Sequence, residues 1–269
     1  MMTQSWRQRH RFYRHLFVLS LAMFLCVAMP PPSFRLHLVG GMLMQLLLTV
    51  ELGQPIRPLV PLRSDWLSLE RRAALVYRLI GLVGLLSLLM WALTPARAAL
   101  TGVPLLFVLT FFVLWSLKRL LRLLANEQTV GPDVVSGAIA GYLLLGISGG
   151  LLMTVLETLH PGSFENMVRS GDAAAGVPLL DLDVSRLNWD LDFSRLNYFA
   201  FVSLTTVGYG DIVPKTPPAE FVSVAISVAG SLYLAIVMGL LISRFTVQTQ
   251  LEEEEQELQV QQPTQPPPR

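Results

Sequence analysis

Long apolar runs dominate this sequence and decide what the chain can fold into. Apolar residues make up 52% of the chain and charged residues 14%, against roughly a quarter charged in a soluble protein. A helix rises 1.5 Å per residue, so about 20 apolar residues cross a bilayer core of about 30 Å. The pattern therefore predicts an all-α membrane protein with six transmembrane helices. The six runs cover residues 16–31, 36–52, 73–93, 100–117, 134–156 and 221–245, the first two being the shortest.

Basic residues predict the orientation of these helices. Cytoplasmic loops are enriched in Lys and Arg, and the basic residues of this chain alternate between rich and poor connections. Arg35 is alone in the first connection and Arg97 is alone in the third. Both termini are thus predicted to lie in the cytoplasm, with the chain in the cell membrane. The rich segments hold Arg7, Arg9, Arg11 and Arg14; Arg57, Arg63, Arg71 and Arg72; and Lys118, Arg119 and Arg122.

The first run has an alternative interpretation as a signal peptide, because it follows a basic start. Its removal would leave five crossings. The residues before Met29 are Cys26-Val27-Ala28, a poor match to a small-residue cleavage site, which favours a retained helix. Cys26 is the single cysteine of the sequence, so an intrachain disulfide is excluded.

The polar stretch 157–217 between the fifth and sixth runs contains the short apolar patch Tyr198 to Leu204. Such a patch between two crossings is typical of a re-entrant pore helix, predicted here over Arg195 to Leu204 with Asp192 or Ser194 as N-cap. Its C-terminal carbonyls are predicted to face a central cavity and to favour a cation there.

The first part of that stretch is acidic. It is either a solvated loop or a source of carboxylates that ring a mouth and concentrate cations. Its carboxylates are Glu157, Glu165, Asp172, Asp181, Asp183, Asp190 and Asp192.

The segment after the predicted pore helix, residues 206–210, carries the chemistry. A cation that sheds its water needs replacement oxygens, which stacked backbone carbonyls can supply. Gly208 and Gly210 can adopt the left-handed angles that turn successive carbonyls the same way. Thr206 adds a hydroxyl at the inner end. Val207 and Tyr209 are predicted to point away from the axis and to pack against the pore helix.

The heptapeptide Thr205-Thr206-Val207-Gly208-Tyr209-Gly210-Asp211 matches the signature of the potassium channel family in every residue, and the resemblance extends over residues 133–246. It implies K⁺ coordination by residues 206–210, with Thr205 and Asp211 supporting the filter. With one filter per chain, it also implies a homotetramer with three further copies. No cofactor beyond the permeant K⁺, no enzymatic activity and no nucleic-acid partner are expected; the lipid bilayer is the other partner.

The family resemblance also bears on the last crossing. In bacterial members, a glycine twenty residues after the filter is the gating hinge, which implies that role for Gly230; helix packing is the alternative. Gly239 is interpreted as a packing glycine or a second bend. The sequence departs from the family pattern at Tyr198 and Phe199, where a Trp pair is common, and at Val202, where some members carry a filter-supporting glutamate.

Six crossings with the filter between the last two also resemble the voltage-gated architecture. The fourth run, however, contains no basic residue, and charges inside the field are what voltage acts on. Lys118, Arg119 and Arg122 follow this run and are interpreted as topology signals whose side chains reach the interface. A voltage sensor also needs countercharges inside the membrane, and the candidates Glu51 and Arg78 lie only near the ends of their segments. Steep voltage gating is therefore not expected.

These features predict four parts of the chain. Residues 1–15 form a cytoplasmic N-terminus and residues 16–127 a four-helix scaffold. Residues 128–246 form the pore domain, and residues 247–269 a cytoplasmic tail. In the tail, Val247, Leu251 and Leu258 fit a weak heptad that Glu254 interrupts, which favours a solvated, fraying helix over a coiled coil.

A second class of function rests on Gly146-Ile147-Ser148-Gly149-Gly150 in the fifth run, which resembles the nucleophile motif of intramembrane serine proteases. A serine nucleophile needs a base within hydrogen-bond reach. The histidines are His10, His15, His37 and His160, and none is predicted at membrane depth on another helix. Small residues at this spacing favour helix packing instead.

Overall fold

The protein is a bundle of long helices. The computed structural model describes residues 2–27, 34–55, 64–93, 98–127, 130–165 and 184–261, and the described part confirms an all-α membrane architecture. The helices are α1 (Met2–Val27), α2 (Phe34–Glu51), α3 (Ser64–Leu93), α4 (Ala98–Ala125), α5 (Pro132–Leu159), α6 (Val184–Leu204), α7 (Pro217–Tyr233) and α8 (Gly239–Gln261), with a π-helical turn at Leu234–Met238 and two short antiparallel strands, β1 (Phe164–Glu165) and β2 (Val213–Pro214).

Each predicted apolar run overlaps one of these helices. Within the described residues, three stretches are by themselves long and apolar enough to cross a membrane: Ser68–Met90, Pro132–Leu159 and Pro217–Leu251. A shorter apolar helix covers Val39–Glu51. The membrane character of the chain is therefore clear from α3, α5 and the α7–α8 run, and six crossings stays a prediction for the whole chain.

The starts of α5 and α7 follow from local sequence. Both helices have a proline in the first turn, where its missing N–H is not needed. Both also have an acidic residue in the first turn, where the positive end of the helix dipole stabilises the carboxylate. The acidic residues are Asp133 in α5 and Glu220 in α7. These two helices flank α6, and α5 also packs against α1 and α4, so α5 lies at the centre of the subunit.

The predicted start of the pore helix is wrong. The helix does not begin near Arg195 but at Val184, so Asp192 and Ser194 lie inside α6 and are not N-caps. Neither glycine nor proline occurs between Val184 and Leu204, so no residue in this stretch breaks the helix. Residues 166–183 lie outside the described residues, and five of the acidic side chains predicted to ring a mouth are not described: Asp172, Asp181, Asp183, Asp190 and Asp192.

The last helix includes the predicted crossing, 221–245, and continues into the tail, where a solvated helix is predicted. Helical structure runs from Pro217 to Gln261, interrupted in its hydrogen-bond pattern only by the π-helical turn at Leu234–Met238. The helix therefore continues well into the predicted tail. π-Helical turns are a common cause of bends in helices. This irregularity lies four residues beyond Gly230 and immediately before Gly239.

The side chain of Arg119 in α4 does not reach the interface as the sequence predicts, and its role as a topology signal stays a prediction. Its side chain is 1% exposed and forms an ion pair of 3.3 Å with Glu70 of α3. Its Nε donates to the carbonyl of Leu52 at 2.7 Å, and one terminal nitrogen donates to the carbonyl of Gln54 at 2.8 Å. The guanidinium also lies 5.1 Å from the ring centre of Tyr77. Arg119 thus joins the end of α2, α3 and α4.

Replacing Arg119 with Met is expected to destabilise the protein strongly. The change leaves Glu70, which is 7% exposed, without its ion-pair partner. Breaking a buried pair from one side costs about 3–5 kcal/mol. Thermal unfolding in detergent measures the loss, and Arg122→Met on the exposed side of α4 is the matched control. The double variant Arg119→Met with Glu70→Met should recover most of the stability. Equal unfolding temperatures for Arg119→Met and Arg122→Met would contradict the prediction.

Candidate functional site

The C-terminal end of α6 accepts backbone hydrogen bonds from the segment that follows it. The N–H of Thr205 donates to Phe201 at 2.9 Å and that of Thr206 to Ser203 at 3.0 Å. The N–H groups of Val207 and Gly208 both point to the carbonyl of Val202, at 3.1 and 3.4 Å. The last carbonyls of a helix have no partner within it, and here the next four residues supply the donors.

These hydrogen bonds determine which way the carbonyls of the segment point. In a planar trans peptide, the N–H of one residue and the C=O of the residue before it point in opposite directions. The N–H groups of Thr206, Val207 and Gly208 face α6, so the carbonyls of Thr205, Thr206 and Val207 point away from it. Three consecutive oxygens thus lie on the side of the chain that α6 leaves open.

The final carbonyls of α6 have partners within the subunit. Those of Phe201, Val202 and Ser203 accept hydrogen bonds from the segment itself, and the central cavity that they are predicted to face stays a prediction. The carbonyl of Leu204 accepts a bond from the Tyr142 hydroxyl of α5 at 3.4 Å. The carbonyls at the negative end of the α6 dipole therefore bind the N–H groups of the adjoining backbone.

Every second residue of the segment has a left-handed backbone. The φ angles are 58° at Thr206, 59° at Gly208 and 76° at Gly210. The two glycines behave as their lack of a Cβ predicts. Thr206 is not predicted, because a residue with a Cβ avoids positive φ by roughly 1–2 kcal/mol. Its N–H bond to Ser203 holds it there, and the alternation of φ keeps successive carbonyls on the same side.

Two side chains of the segment are largely uncovered in the single chain. Val207 is 51% exposed and Tyr209 is 71% exposed, so their packing against a pore helix stays a prediction. Two apolar side chains in the most specific motif of the sequence thus remain uncovered in the single chain. Thr205 does support the segment locally, because its hydroxyl donates to the carbonyl of Phe201 at 2.7 Å.

The far end of the segment is tied to α6 by a side-chain bond. The hydroxyl of Tyr198 donates to the Asp211 carboxylate at 2.7 Å. This bond raises the pKa of Tyr198 to about 12, because the neutral phenol is the form that donates to the carboxylate. The departure from the family pattern at Tyr198 therefore retains a hydrogen-bond donor for Asp211.

The residues after Asp211 are held from the other side by the turn that follows α5. The β2 strand pairs with β1, and the N–H of Lys215 donates to the carbonyl of Ser163 at 2.8 Å. The Glu157 carboxylate organises the turn by accepting the N–H groups of Gly162 at 2.7 Å and Phe164 at 3.1 Å.

Two acidic residues thus have local roles that sequence reasoning missed. Glu157 caps the turn, and Glu165 forms an ion pair of 2.8 Å with Lys215. Both are part of the acidic stretch that the sequence predicts to be either a loop or a ring of carboxylates. One sequence signal could have indicated that Glu157 caps this turn. It is a carboxylate followed a few residues later by a glycine, Gly162, which has a positive φ.

The glycines of the Gly146 to Gly150 motif serve packing against α6 and α7. A Cβ at Gly146 would overlap the ring of Phe201, and one at Gly150 would lie 2.5 Å from the side-chain oxygen of Asn197. At Gly149 it would lie 3.0 Å from Ile226 of α7. The hydroxyl of Ser148 donates to the carbonyl of Leu145, within its own helix, at 2.7 Å. These contacts confirm the packing interpretation of the motif.

Gly230 also lies at a close contact. A Cβ there would overlap the carbonyl oxygen of Leu204, the last residue of α6. The position therefore has a packing requirement, and its role as a hinge stays a prediction. At Gly239, by contrast, no atom of the described chain lies within 4 Å of the place a Cβ would take. Packing within the subunit therefore does not explain Gly239.

Comparisons with known proteins agree with this geometry. The family model described as "Ion channel" matches residues 173–247. A 67-residue stretch is 40% identical to potassium voltage-gated channel subfamily A member 2 of Xenopus laevis and likewise to that of Mus musculus, covering 23% of this chain and 13% of each relative. Subfamily A member 10 of Homo sapiens is 37% identical over 62 residues, or 23% of this chain and 12% of that protein.

The matched part thus spans about an eighth of the length of these relatives. The match to the family model, residues 173–247, includes α6, the segment 205–211 and α7. The hydrogen-bonded segment and its alternating φ angles lie in the part of the chain that matches the ion channel model, residues 173–247, and a part of the chain is similar to potassium voltage-gated channels.

Proposed function

We propose that this chain is one subunit of a potassium-selective channel that conducts K⁺ passively across the cell membrane. The observation that carries the proposal is the direction of the carbonyls of Thr205, Thr206 and Val207, which point away from α6. Dehydrated K⁺ needs such backbone oxygens on several sides. The carbonyls of Gly208 and Tyr209 and the hydroxyl of Thr206 would complete the path, and Gly210 would shape its outer end.

A single chain supplies one wall of such a path, so the proposal requires further copies. Four copies around one axis would surround the ion with carbonyls. The exposed apolar face of α7 is a surface that a neighbouring copy or the lipid of the bilayer would cover. Its large exposed side chains are Phe221 at 75%, Val224 at 62%, Val228 at 51% and Leu232 at 53%.

The four parts of the chain keep the roles that the sequence predicts. Residues 128–246 would form the pore domain and residues 16–127 the scaffold, with both termini in the cytoplasm. The described side chains of the fourth run carry no charge within residues 105–117, and Arg119 beyond them is held by fixed partners. A voltage series in a bilayer should therefore show an open probability with little voltage dependence.

The competing function is an intramembrane serine protease that uses Ser148. Its hydroxyl is already engaged with the carbonyl of Leu145, and its neighbouring glycines pack against α6 and α7. Replacing Ser148 with Ala separates the two functions, because K⁺ flux should survive the change and proteolysis should not.

Gly208→Ala tests the selectivity of the filter. Within the described part of one subunit no atom lies within 4 Å of the added Cβ, so the strain inside the subunit comes from the left-handed backbone, with φ at 59°. That strain costs roughly 1–2 kcal/mol in each subunit. Since about 1.4 kcal/mol corresponds to a factor of ten, the K⁺-over-Na⁺ flux ratio of proteoliposomes should fall about tenfold or more.

Gly239→Ala is the matched control for this variant. Its added Cβ also meets no atom within 4 Å among the residues that the structure describes, and its φ is –59°, so the flux ratio should stay unchanged. Equal K⁺ and Na⁺ flux through the unmodified protein would refute the selectivity that we propose.

Tyr198→Phe tests the support of the filter by Asp211. Loss of the hydroxyl removes a bond to a carboxylate, worth about 1 kcal/mol at an exposed position. We expect lower sustained K⁺ flux with unchanged assembly. Tyr142→Phe, which loses a longer bond of 3.4 Å, should have a smaller effect. A larger loss in Tyr142→Phe would contradict the role assigned to Tyr198.

The pH dependence of this support follows from the pKa of Tyr198. The hydrogen bond raises that pKa from 10.0 to about 12. The neutral phenol is therefore stabilised in the folded protein. Its contribution is complete below the ordinary value and is lost as the pH rises through about 12. Flux assays from neutral to mildly alkaline pH should show no loss that depends on Tyr198, and a loss that Tyr198→Phe abolishes would contradict this.

A further inference from the structure

We infer that in the assembled channel each four-helix scaffold stays docked on the outer pore helix α5 of its own subunit and is not exchanged with a neighbour. Exchange of an element between protomers is a common route to symmetric assemblies, and a short hinge between two parts of a chain decides whether it can occur. The inference rests on the tetramer proposed above and concerns how its subunits are arranged.

The connection between scaffold and pore is short. Helix α4 ends at Ala125 and α5 begins at Pro132. The residues between them, 126–131, span about 20 Å at most when fully extended. A scaffold on so short a connection can reach the α5 surface beside it without strain, whereas the corresponding surface of a neighbour lies around the axis.

This connection is also bonded on two sides within its own chain. On one side, the hydroxyl of Tyr13 in α1 donates to the Glu127 carboxylate at 2.9 Å. On the other side, Arg244 of α8 donates to the carbonyl of Ala125 at 2.7 Å, and the N–H of Val130 donates to the side-chain oxygen of Gln248 at 3.2 Å. Swapping the scaffold would require these bonds to be replaced by others.

The contact between α1 and α5 has the fit of a protein interior. The fully buried ring of Tyr13 lies over Gly137, where a Cβ would come within 2.6 Å of the ring. Farther along α1, Phe24 packs edge-on against Phe201 of α6, with 4.8 Å between ring centres. Two aromatic side chains of α1 thus seat it on the pore part of the same chain at separate points.

The outer pore helix α5 is covered within the subunit, whereas α7 has an exposed apolar face. Of the large apolar side chains of α5, only Val135, Ile139 and Leu159 are substantially exposed. Within the described chain, α5 has no broad apolar face left for the scaffold of a neighbour. The exposed face of α7 remains for contacts with other copies. One surface thus serves the subunit itself, and another serves the assembly.

This arrangement has a functional consequence. The ring of Phe201 lies between Phe24 of α1 and Gly146 of α5, and the carbonyl of Phe201 accepts the N–H of Thr205. Helix α1 therefore buttresses the filter of its own subunit. A change in α1 should act on the filter of the same chain and not on the filter of the next one.

Thiol crosslinking in the full-length protein tests the inference. Cys26→Ser first removes the single cysteine. Tyr13→Cys and Glu127→Cys are then introduced together, and the detergent-solubilised complex is treated with a short bifunctional thiol reagent. We expect closure within one chain, seen as a monomer on a denaturing gel with the mass of one crosslink. A second sample combines co-expressed subunits that carry one of the two cysteines each, with different tags, and should give no covalent dimer.

Covalent dimers in the mixed sample, or covalent multimers of the double variant, would overturn the inference. If the Tyr13 variant does not fold, the pair Phe24→Cys and Phe201→Cys gives the same two readouts at the other contact. The native mass of each sample separates this result from the proposed function. A tetramer with interchain closure refutes only the arrangement, whereas a monomeric mass refutes the tetramer and this inference together.

Discussion

The structure depends on how the backbone is satisfied where α6 ends. Within a membrane, an unpaired N–H or C=O group costs several kcal/mol, so irregular backbone there must be bonded or line a watery cavity. Four consecutive N–H groups, from Thr205 to Gly208, return to carbonyls of α6. Because these N–H groups face α6, the carbonyls of Thr205, Thr206 and Val207 point away from it. The helix end thus satisfies the donors of the segment and leaves its acceptors on the open side, where we propose that they bind K⁺.

The rest of the subunit keeps this helix end in place. Leu204 is contacted by Tyr142 of α5 and closely approached by Gly230 of α7. Phe201 fits against Gly146, and Asn197 against Gly150. Helices in membranes usually pack by approaching each other closely at small residues, because the hydrophobic effect contributes little to helix association in lipid. Gly146 and Gly150 of α5 thus each match a larger side chain of α6, and these contacts hold the helix end against α5.

Local chemistry could be predicted from the sequence, and contacts between distant residues could not. The apolar runs predict where the helices lie, and the lack of a Cβ predicts positive φ at Gly208 and Gly210. The positive φ of Thr206 depends on its bond to Ser203, which no property of threonine indicates. Glu157 and Glu165 read as part of an acidic loop, because their partners depend on how the turn folds. The burial of Arg119 depends on Glu70 and on two carbonyls beyond α2, which only the packing of three helices brings together.

Arg119 also bears on whether the scaffold can respond to voltage. A charge moved through the full membrane field gains about 2.3 kcal/mol per 100 mV. Arg119 is held at once by Glu70, by the carbonyls of Leu52 and Gln54, and by the ring of Tyr77. Breaking a buried ion pair alone costs about 3–5 kcal/mol, and the hydrogen bonds to the end of α2 would be lost with it. One such charge in a subunit therefore gains less from a physiological field than it would lose by moving. The same contacts that bury Arg119 make α4 a fixed member of the scaffold, and a fixed scaffold is what α1 needs in order to support the filter through Phe201.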